Sequence, residues 1–237
     1  MFSPLCRRLV PQRRARVRTS DNMASQQEQL TLHEAHLSGN SYKVRLTASL
    51  LGIRIHKLID YNVLKQETRT PEYLARVNAN GRLPVLQVGN DTFLPESNAA
   101  CYYLADDPDS KANLIPRDRL EHARMLQWMF FEQYSHEPCI AVLRFWRTMV
   151  GVDNLTETQK AQIPGKEKQA AEVLDVMEHH LTGREWFVAN HVSLADVVLF
   201  AYTHCLDESG LDISKWPAIE RWVGRVEGLE RYVKLAD

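Results

Sequence analysis

The residue types able to do chemistry together lie in three short stretches. Gly81-Arg82-Leu83-Pro84-Val85-Leu86 puts a proline at the mouth of an apolar β-run. Proline cannot donate to a strand ladder, so it belongs at an edge or a bend, where neighbouring backbone can pair with an extended ligand. A cis bond between Leu83 and Pro84 would turn that backbone outward. Twelve residues after Pro84 come Glu96 and Ser97, at the opening of a helix. The free N–H groups and dipole of a helix start favour an anion, the serine adds a donor, and the glutamate can accept from an ammonium group. Ser38-Gly39-Asn40-Ser41 lies between a strand and a helix, where a serine hydroxyl can face a ligand with the helix N-terminus behind it. The combined chemistry is the binding of a small peptide that carries its own carboxylates. Taken singly, each stretch is explained as well by an edge proline, an N-cap, or a turn capped by Asn40 or Ser41.

Other candidate chemistry is weaker. His179-His180 and His136-Glu137 look like metal-site fragments but have no partners at ligand spacing, and are read as surface or packing histidines. Cys6, Cys101, Cys139 and Cys205 are scattered and form no C-x-x-C, so neither a metal site nor a dithiol redox site is expected. Four scattered cysteines suit a reducing compartment.

The elements that must position these residues follow from periodicity. From Gln29 the order reads β-α-β-α-β-β-α. Leu30 to His33 alternates as a strand, Ser41 to Leu51 is a helix stopped by Gly52, and Ile53 to Asp60 alternates again. Thr70-Pro71-Glu72 starts a helix that closes near Asn78. Leu83 to Val88, a turn at Gly89-Asn90-Asp91 and Thr92 to Leu94 make a hairpin, and Pro95 to Asn98 opens a third helix through Leu104. The polar run Asp106 to Ser110 reads as a linker. Beyond it the period is helical: Arg119 to Tyr134 as one long helix, then Glu137 to Met149, Lys166 to Leu181, Ser193 to Leu206 and Pro217 to Val226. The expected organisation is a basic extension over residues 1–28, an α/β domain over 29–106, a linker over 107–116 and an all-helical domain over 117–237.

A chain of 237 residues suffices for two modest domains, and its 44% hydrophobic and 25% charged content is ordinary for a globular protein. No apolar run approaches the ~20 residues needed to span a bilayer. A net charge of −1 argues against nucleic acid as the partner. Residues 1–22 hold six arginines against Asp21, which gives them +5 and leaves −6 for the rest. Such an arm resembles a mitochondrial transit peptide, although Pro4 and Pro11 interrupt any long amphipathic helix. An upstream extension with Met23 as the working start explains it equally. The expected address is cytoplasmic, or mitochondrial if the arm is a targeting segment.

The order Ser38, Arg82-Leu83-Pro84-Val85, Glu96-Ser97 resembles the thioredoxin-like N-terminal domain of glutathione transferases. In the second half, Ser193-Leu194-Ala195-Asp196 looks like that family's capping box, and Trp216-Pro217-Ala218-Ile219-Glu220-Arg221-Trp222 resembles its closing helix. The resemblance runs from about Leu30 to about Tyr232 and is to serine-type cytosolic enzymes, theta- or zeta-like or fungal and bacterial relatives. It implies a βαβαββα thioredoxin-like domain followed by an all-α bundle, and a detoxifying transferase of alkyl or aryl groups other than methyl that takes glutathione as co-substrate and needs no metal. Ser38 matches the serine that hydrogen-bonds the sulfur, with Asn40 and Ser41 as alternative donors. Val85 matches the residue whose backbone pairs with the cysteinyl part, beside cis-Pro84 and Leu83. Glu96 and Ser97 match the pair that holds the γ-glutamyl end, and Arg82 stands near the glycine carboxylate.

The implied mechanism is thiol activation. A free thiol with a pKa near ~8.5 is only a few per cent thiolate at neutral pH. Lowering that by about two units takes roughly 2.7 kcal/mol of selective stabilisation, which a hydroxyl donor and a helix N-terminus can supply together. The absence of cysteine at 38 and 41 argues against mixed-disulfide chemistry. Trp128, Phe131 and Tyr134, with Trp146 less favoured, are candidates for the wall that holds a hydrophobic electrophile. The resemblance also implies a homodimer. The alternatives on the same scaffold are a glutathione-dependent isomerase or ether-cleaving enzyme, and a non-catalytic assembly module.

Overall fold

The computed structural model describes residues 29–107 and 112–237. The N-terminal arm, its Cys6 and part of the expected linker therefore lie outside the described residues. Strands β1 (Leu30–Glu34), β2 (Lys57–Asp60), β3 (Val85–Val88) and β4 (Thr92–Pro95) form one sheet in the order β2-β1-β3-β4. β1 and β2 run parallel, joined by helix α1 (Gly39–Leu51), as a parallel pair requires a crossover. β3 is antiparallel to both β1 and β4. Helices α2 (Pro71–Arg76) and α3 (Ser97–Ala105) complete the expected βαβαββα order.

Two strands are shorter than their alternation suggested, for backbone reasons. Gly52 takes the left-handed conformation, and its N–H and that of Ile53 turn back onto the last carbonyls of α1. Pairing with β1 therefore begins only at the His56 N–H, which donates to Leu30, and Ile53 to His56 form the turn. β3 starts at Val85 instead of Leu83 because Pro84 has no N–H to give the ladder. The Leu83–Pro84 bond is cis, as anticipated.

The second half is helical: α4 (Arg119–Phe131), α5 (Glu137–Arg144), α6 (Glu157–Leu181), α7 (Leu194–Thr203) and α8 (Pro217–Glu227). All ten residues of α7 are buried, as expected for a helix apolar on every side. It packs against α1, α3 and α4 and carries the core across both halves. Its entry is held by Asp196, which accepts from the Ser193 N–H at 2.9 Å and from the Ser193 hydroxyl at 2.9 Å. α6 begins nine residues before the expected Lys166, because a capping box of Thr156 and Gln159 starts it and Pro164 is carried inside the helix. No helix among the described residues is long and apolar enough to cross a membrane.

The stretch read as a long helix to Tyr134 and a second one behind Pro138 is a continuous helical rod with a wide turn in the middle. Pro138 cannot donate to Tyr134 as an α-helix would demand. The Glu137 N–H instead bonds to the Glu132 carbonyl, five residues back, and residues Glu132–His136 form a π-helical turn. That turn swings Glu132, Gln133 and His136 inward. His136 is fully buried, with Nε2 sharing a hydrogen bond with Thr203 Oγ1 at 2.9 Å.

Burial pushes the His136 pKa from 6.5 down to about 4. The ring is neutral in the folded state, so its contribution to stability is complete above pH 6.5 and is lost as pH falls toward about 4. Over that window one extra proton binds on unfolding, a slope of about 1.4 kcal/mol per pH unit at most. Denaturant titrations between about pH 7 and pH 4.5 should show a steeper loss for the natural chain than for His136→Asn. Equal slopes would mean that His136 titrates normally.

Candidate functional site

Segments far apart in sequence converge on one cleft of about 1080 Å³. One wall is built by the loop after β1 and the first turn of α1, by the Gly81–Pro84 loop ahead of β3, and by the start of α3. The facing wall comes from Gln133 of the π turn, from Glu137, Ala141 and Arg144 of α5, from Phe145 and Met149 beyond it, and from Tyr202 of α7. Ser38, Asn40, Arg82, Leu83, Pro84, Glu96 and Ser97 all line this cleft, so the three stretches singled out in the sequence do meet.

Ser38 is the N-cap residue of α1, with extended backbone, yet its side chain makes no capping bond to the helix. Asn40 lies at the centre of a polar network. Its Nδ2 donates to Glu137 at 3.2 Å, and its Oδ1 accepts from Lys43 Nζ at 2.8 Å and from the Ser97 hydroxyl at 3.4 Å. Lys43 in turn pairs with Glu132 at 2.8 Å, both side chains fully buried. Asn98 Nδ2 and Gln133 Nε2 donate to the other Glu132 oxygen at 3.1 and 2.9 Å. A buried ion pair from the π turn thus supports the floor under Asn40 and Ser97.

Glu96 carries a positive φ of 73°, a conformation that a residue with a side chain holds only when its surroundings impose it. It sits between the end of β4 and the first turn of α3, with its carboxylate exposed at the cleft beside the buried Ser97. Arg82 is exposed and lines the cleft, its carbonyl held by Tyr73 Oη at 2.8 Å and Asn78 Nδ2 at 3.0 Å. Arg69 also lines the cleft, and its guanidinium lies so close to Gly81 (φ +62°) that a Cβ there would come within 2.6 Å of Nη1. The lining of the cleft therefore combines cations, a carboxylate, a helix start and hydroxyls.

Three expectations are corrected. Val85 is fully buried on the central strand β3, opposite His33 of β1 and Pro95 of β4, so no backbone edge is open for a ligand. Leu83 lies outside the ladder and on the cleft wall. Ser41 is fully buried, and its hydroxyl accepts from the Ala35 N–H at 3.2 Å, which turns it into the fold. The aromatic wall is elsewhere. Trp128 packs into the core against Phe131, His180 and Phe187, while Tyr134 is 88% exposed, and none of Trp128, Phe131 and Tyr134 lines the cleft. Trp146, the weaker candidate, is buried with Lys166 over its ring. On this rod the cleft is lined from Gln133 onward, by Glu137, Ala141, Arg144, Phe145 and Met149, while Trp128 of α4 is taken up by packing with Phe131, His180 and Phe187.

Sequence reasoning also missed Lys43, Glu132, Glu137, Arg144 and Tyr202. Arg144 bridges the walls by donating to the Leu37 carbonyl at 2.7 Å and to Glu208 at 2.8 Å. A lysine in the middle of a helix flanked by tyrosine and valine was the one available hint of a buried charge.

Comparison with known proteins agrees with this architecture. The glutathione S-transferase N-terminal domain model matches residues 37–107, and the C-terminal domain model matches residues 123–230. The chain is 30% identical over 191 residues to a glutathione S-transferase-like protein LUC7 of Fusarium sp, covering 78% of this chain and 82% of that one. It is 30% identical over 178 residues to glutathione S-transferase F10 of Arabidopsis thaliana, covering 75% and 80%. Among solved structures, a glutathione S-transferase from Pseudomonas fluorescens is 38% identical with a TM-score of 0.80, covering 88% of this chain and 99% of that one. The chain belongs to the glutathione S-transferase family, with the thioredoxin-like and helical parts of that fold.

Proposed function

We propose that the protein is a glutathione transferase that binds glutathione in the cleft and holds its sulfur as thiolate at Ser38, for attack on a hydrophobic electrophile. One observation carries the reading: Ser38, the Leu83–Pro84 backbone and the Glu96–Ser97 helix start, separated in the chain, line a single cleft. In it the backbone of Leu83 pairs with the cysteinyl unit. Glu96, Ser97 and the first turn of α3 take the ammonium and carboxylate of the γ-glutamyl end. Arg82 and Arg69 attract the glycine carboxylate. Ala141, Phe145 and Met149 face the position of the sulfur and supply an apolar wall for the second substrate.

Ser38 is favoured over Asn40 as the sulfur donor because the Asn40 carboxamide is already held by Lys43, Ser97 and Glu137. The test is glutathione binding followed by ultraviolet titration of the bound thiol. In the natural chain the thiol should titrate about two pH units below its free value, and Ser38→Ala should return it. Near pH 6.5 that restores a thiolate fraction about 50-fold smaller, with a matching fall in kcat/KM. Reversion in Asn40→Ala alone would move the role to Asn40. Binding with an unshifted thiol throughout would mean a binding module without catalysis.

A further inference from the structure

The Ser38 hydroxyl is free for the cleft because another group does its capping work. The first turn of a helix leaves N–H groups without partners, and an N-cap serine ordinarily accepts from one of them through Oγ. At α1 that acceptor is instead Tyr202 Oη, which takes the Asn40 N–H at 3.2 Å. Tyr202 reaches it from α7 of the helical half, 162 residues away in sequence. Gly39 makes the approach possible: a Cβ at this position would lie 2.6–2.8 Å from three atoms of the Tyr202 ring. The ring rests on the bare backbone of the helix start, and Ser38, the residue before Gly39, lines the same cleft as Tyr202.

We propose that Tyr202 is a positioning residue for thiolate stabilisation, its hydroxyl donating to Ser38 Oγ so that the single Ser38 proton points at the sulfur of the bound thiol. A serine hydroxyl has one proton to give. With the Asn40 N–H directed at its oxygen, the phenol must send its own proton elsewhere, and in this proposal it goes to Ser38 Oγ, which makes no capping bond to the helix. A hydroxyl that accepts one hydrogen bond donates a stronger one. Burial, with the Glu137 and Glu132 carboxylates nearby, raises the Tyr202 pKa well above the usual phenol range. It therefore stays a donor while the thiol titrates. The sulfur site is in this way completed across the two halves of the fold, by an α7 residue that need not touch the substrate.

This inference rests on the cleft holding a thiolate at Ser38, and the experiment separates the two. Bound glutathione is titrated by ultraviolet absorbance in the natural chain, Ser38→Ala, Tyr202→Phe and the double variant. Phenylalanine keeps the ring against Gly39 and removes only the hydroxyl. The expected result is a bound-thiol pKa raised by about 1 in Tyr202→Phe, a roughly tenfold loss of kcat/KM on the acid side of the profile, and unchanged affinity for the protonated thiol, read well below the bound pKa. In the Ser38→Ala background the same change should add nothing, because Tyr202 acts through Ser38. A titration like the natural chain's in Tyr202→Phe, with Ser38→Ala reverted, overturns this inference alone. An equal, additive effect in both backgrounds also overturns it, since Tyr202 would then act on the sulfur directly or through the fold. A natural chain whose bound thiol is unshifted overturns both readings.

Discussion

Alanine at Glu132 is expected to destabilise the fold by about 3–5 kcal/mol, because it strands the Lys43 ammonium in the interior. Lys43 and Glu132 are both fully buried and 2.8 Å apart. With the carboxylate gone, Lys43 Nζ keeps only Asn40 Oδ1 at 2.8 Å and the Ser97 hydroxyl at 3.5 Å, both neutral. Asn98 and Gln133 lose their acceptor at the same time. The double variant Lys43→Met/Glu132→Leu should recover most of the loss, since two charges taken from water together are often no better than apolar residues of similar size. Urea unfolding of the natural chain and these two variants measures both effects. If Glu132→Ala costs under about 1 kcal/mol, the pair is not buried as described. The double variant has a second use: Asn40 and Ser97 lose the cation that orients them, so a fully stable double variant with weakened glutathione binding would separate support of the site from support of the fold.

The second large effect is expected at Asp196. Its Oδ1 accepts from the Phe187 N–H at 3.0 Å and from Trp222 Nε1 at 3.0 Å, and its Oδ2 from the Ser193 N–H and hydroxyl at 2.9 Å each. The carboxylate is fully buried and ties the start of α7 to α8 and to the loop before it. Asp196→Ala leaves three N–H donors buried without acceptors, at about 1–3 kcal/mol each. Destabilisation of at least about 3 kcal/mol should follow, read from the denaturant midpoint at unchanged m. Asp196→Asn retains an acceptor for some of these donors and should fall between the two. Because α7 carries Tyr202 to the start of α1, the alanine variant should also weaken the glutathione site at temperatures where it is still folded. A midpoint within about 0.5 kcal/mol of the natural chain would show that the capping box is dispensable.

Much of this protein was legible from local chemistry. Gly52 ending α1, Pro71 opening α2, the Gly89–Asp91 turn and the Ser193–Asp196 box are signals that act within a few residues, and each element appears where they place it. Ser38, Leu83, Pro84, Glu96 and Ser97 could be chosen for the same reason. A helix start and a strand-edge proline expose backbone groups to whatever faces them, wherever the chain later folds.

What the sequence could not contain is which neighbour faces each residue. Val85 follows the proline as directly as Leu83 precedes it, and only the pairing of β3 on both sides closes its backbone to a ligand. Ser41 and Ser38 are equivalent hydroxyls in the sequence, and the Ala35 N–H decides that one turns inward. Trp128 and Phe131 recur at helical spacing, but His180 and Phe187 cover Trp128 in the core, and the cleft is lined by Ala141, Phe145 and Met149 further along the rod. Tyr202 lies in a helix buried on every side, where no periodicity marks one residue from the next. Local sequence determines which backbone groups are left unsatisfied, because helix caps and strand ends are short-range events. Tertiary packing decides which side chain, from α1 or from α7, satisfies them, and so which hydroxyl is left at the cleft.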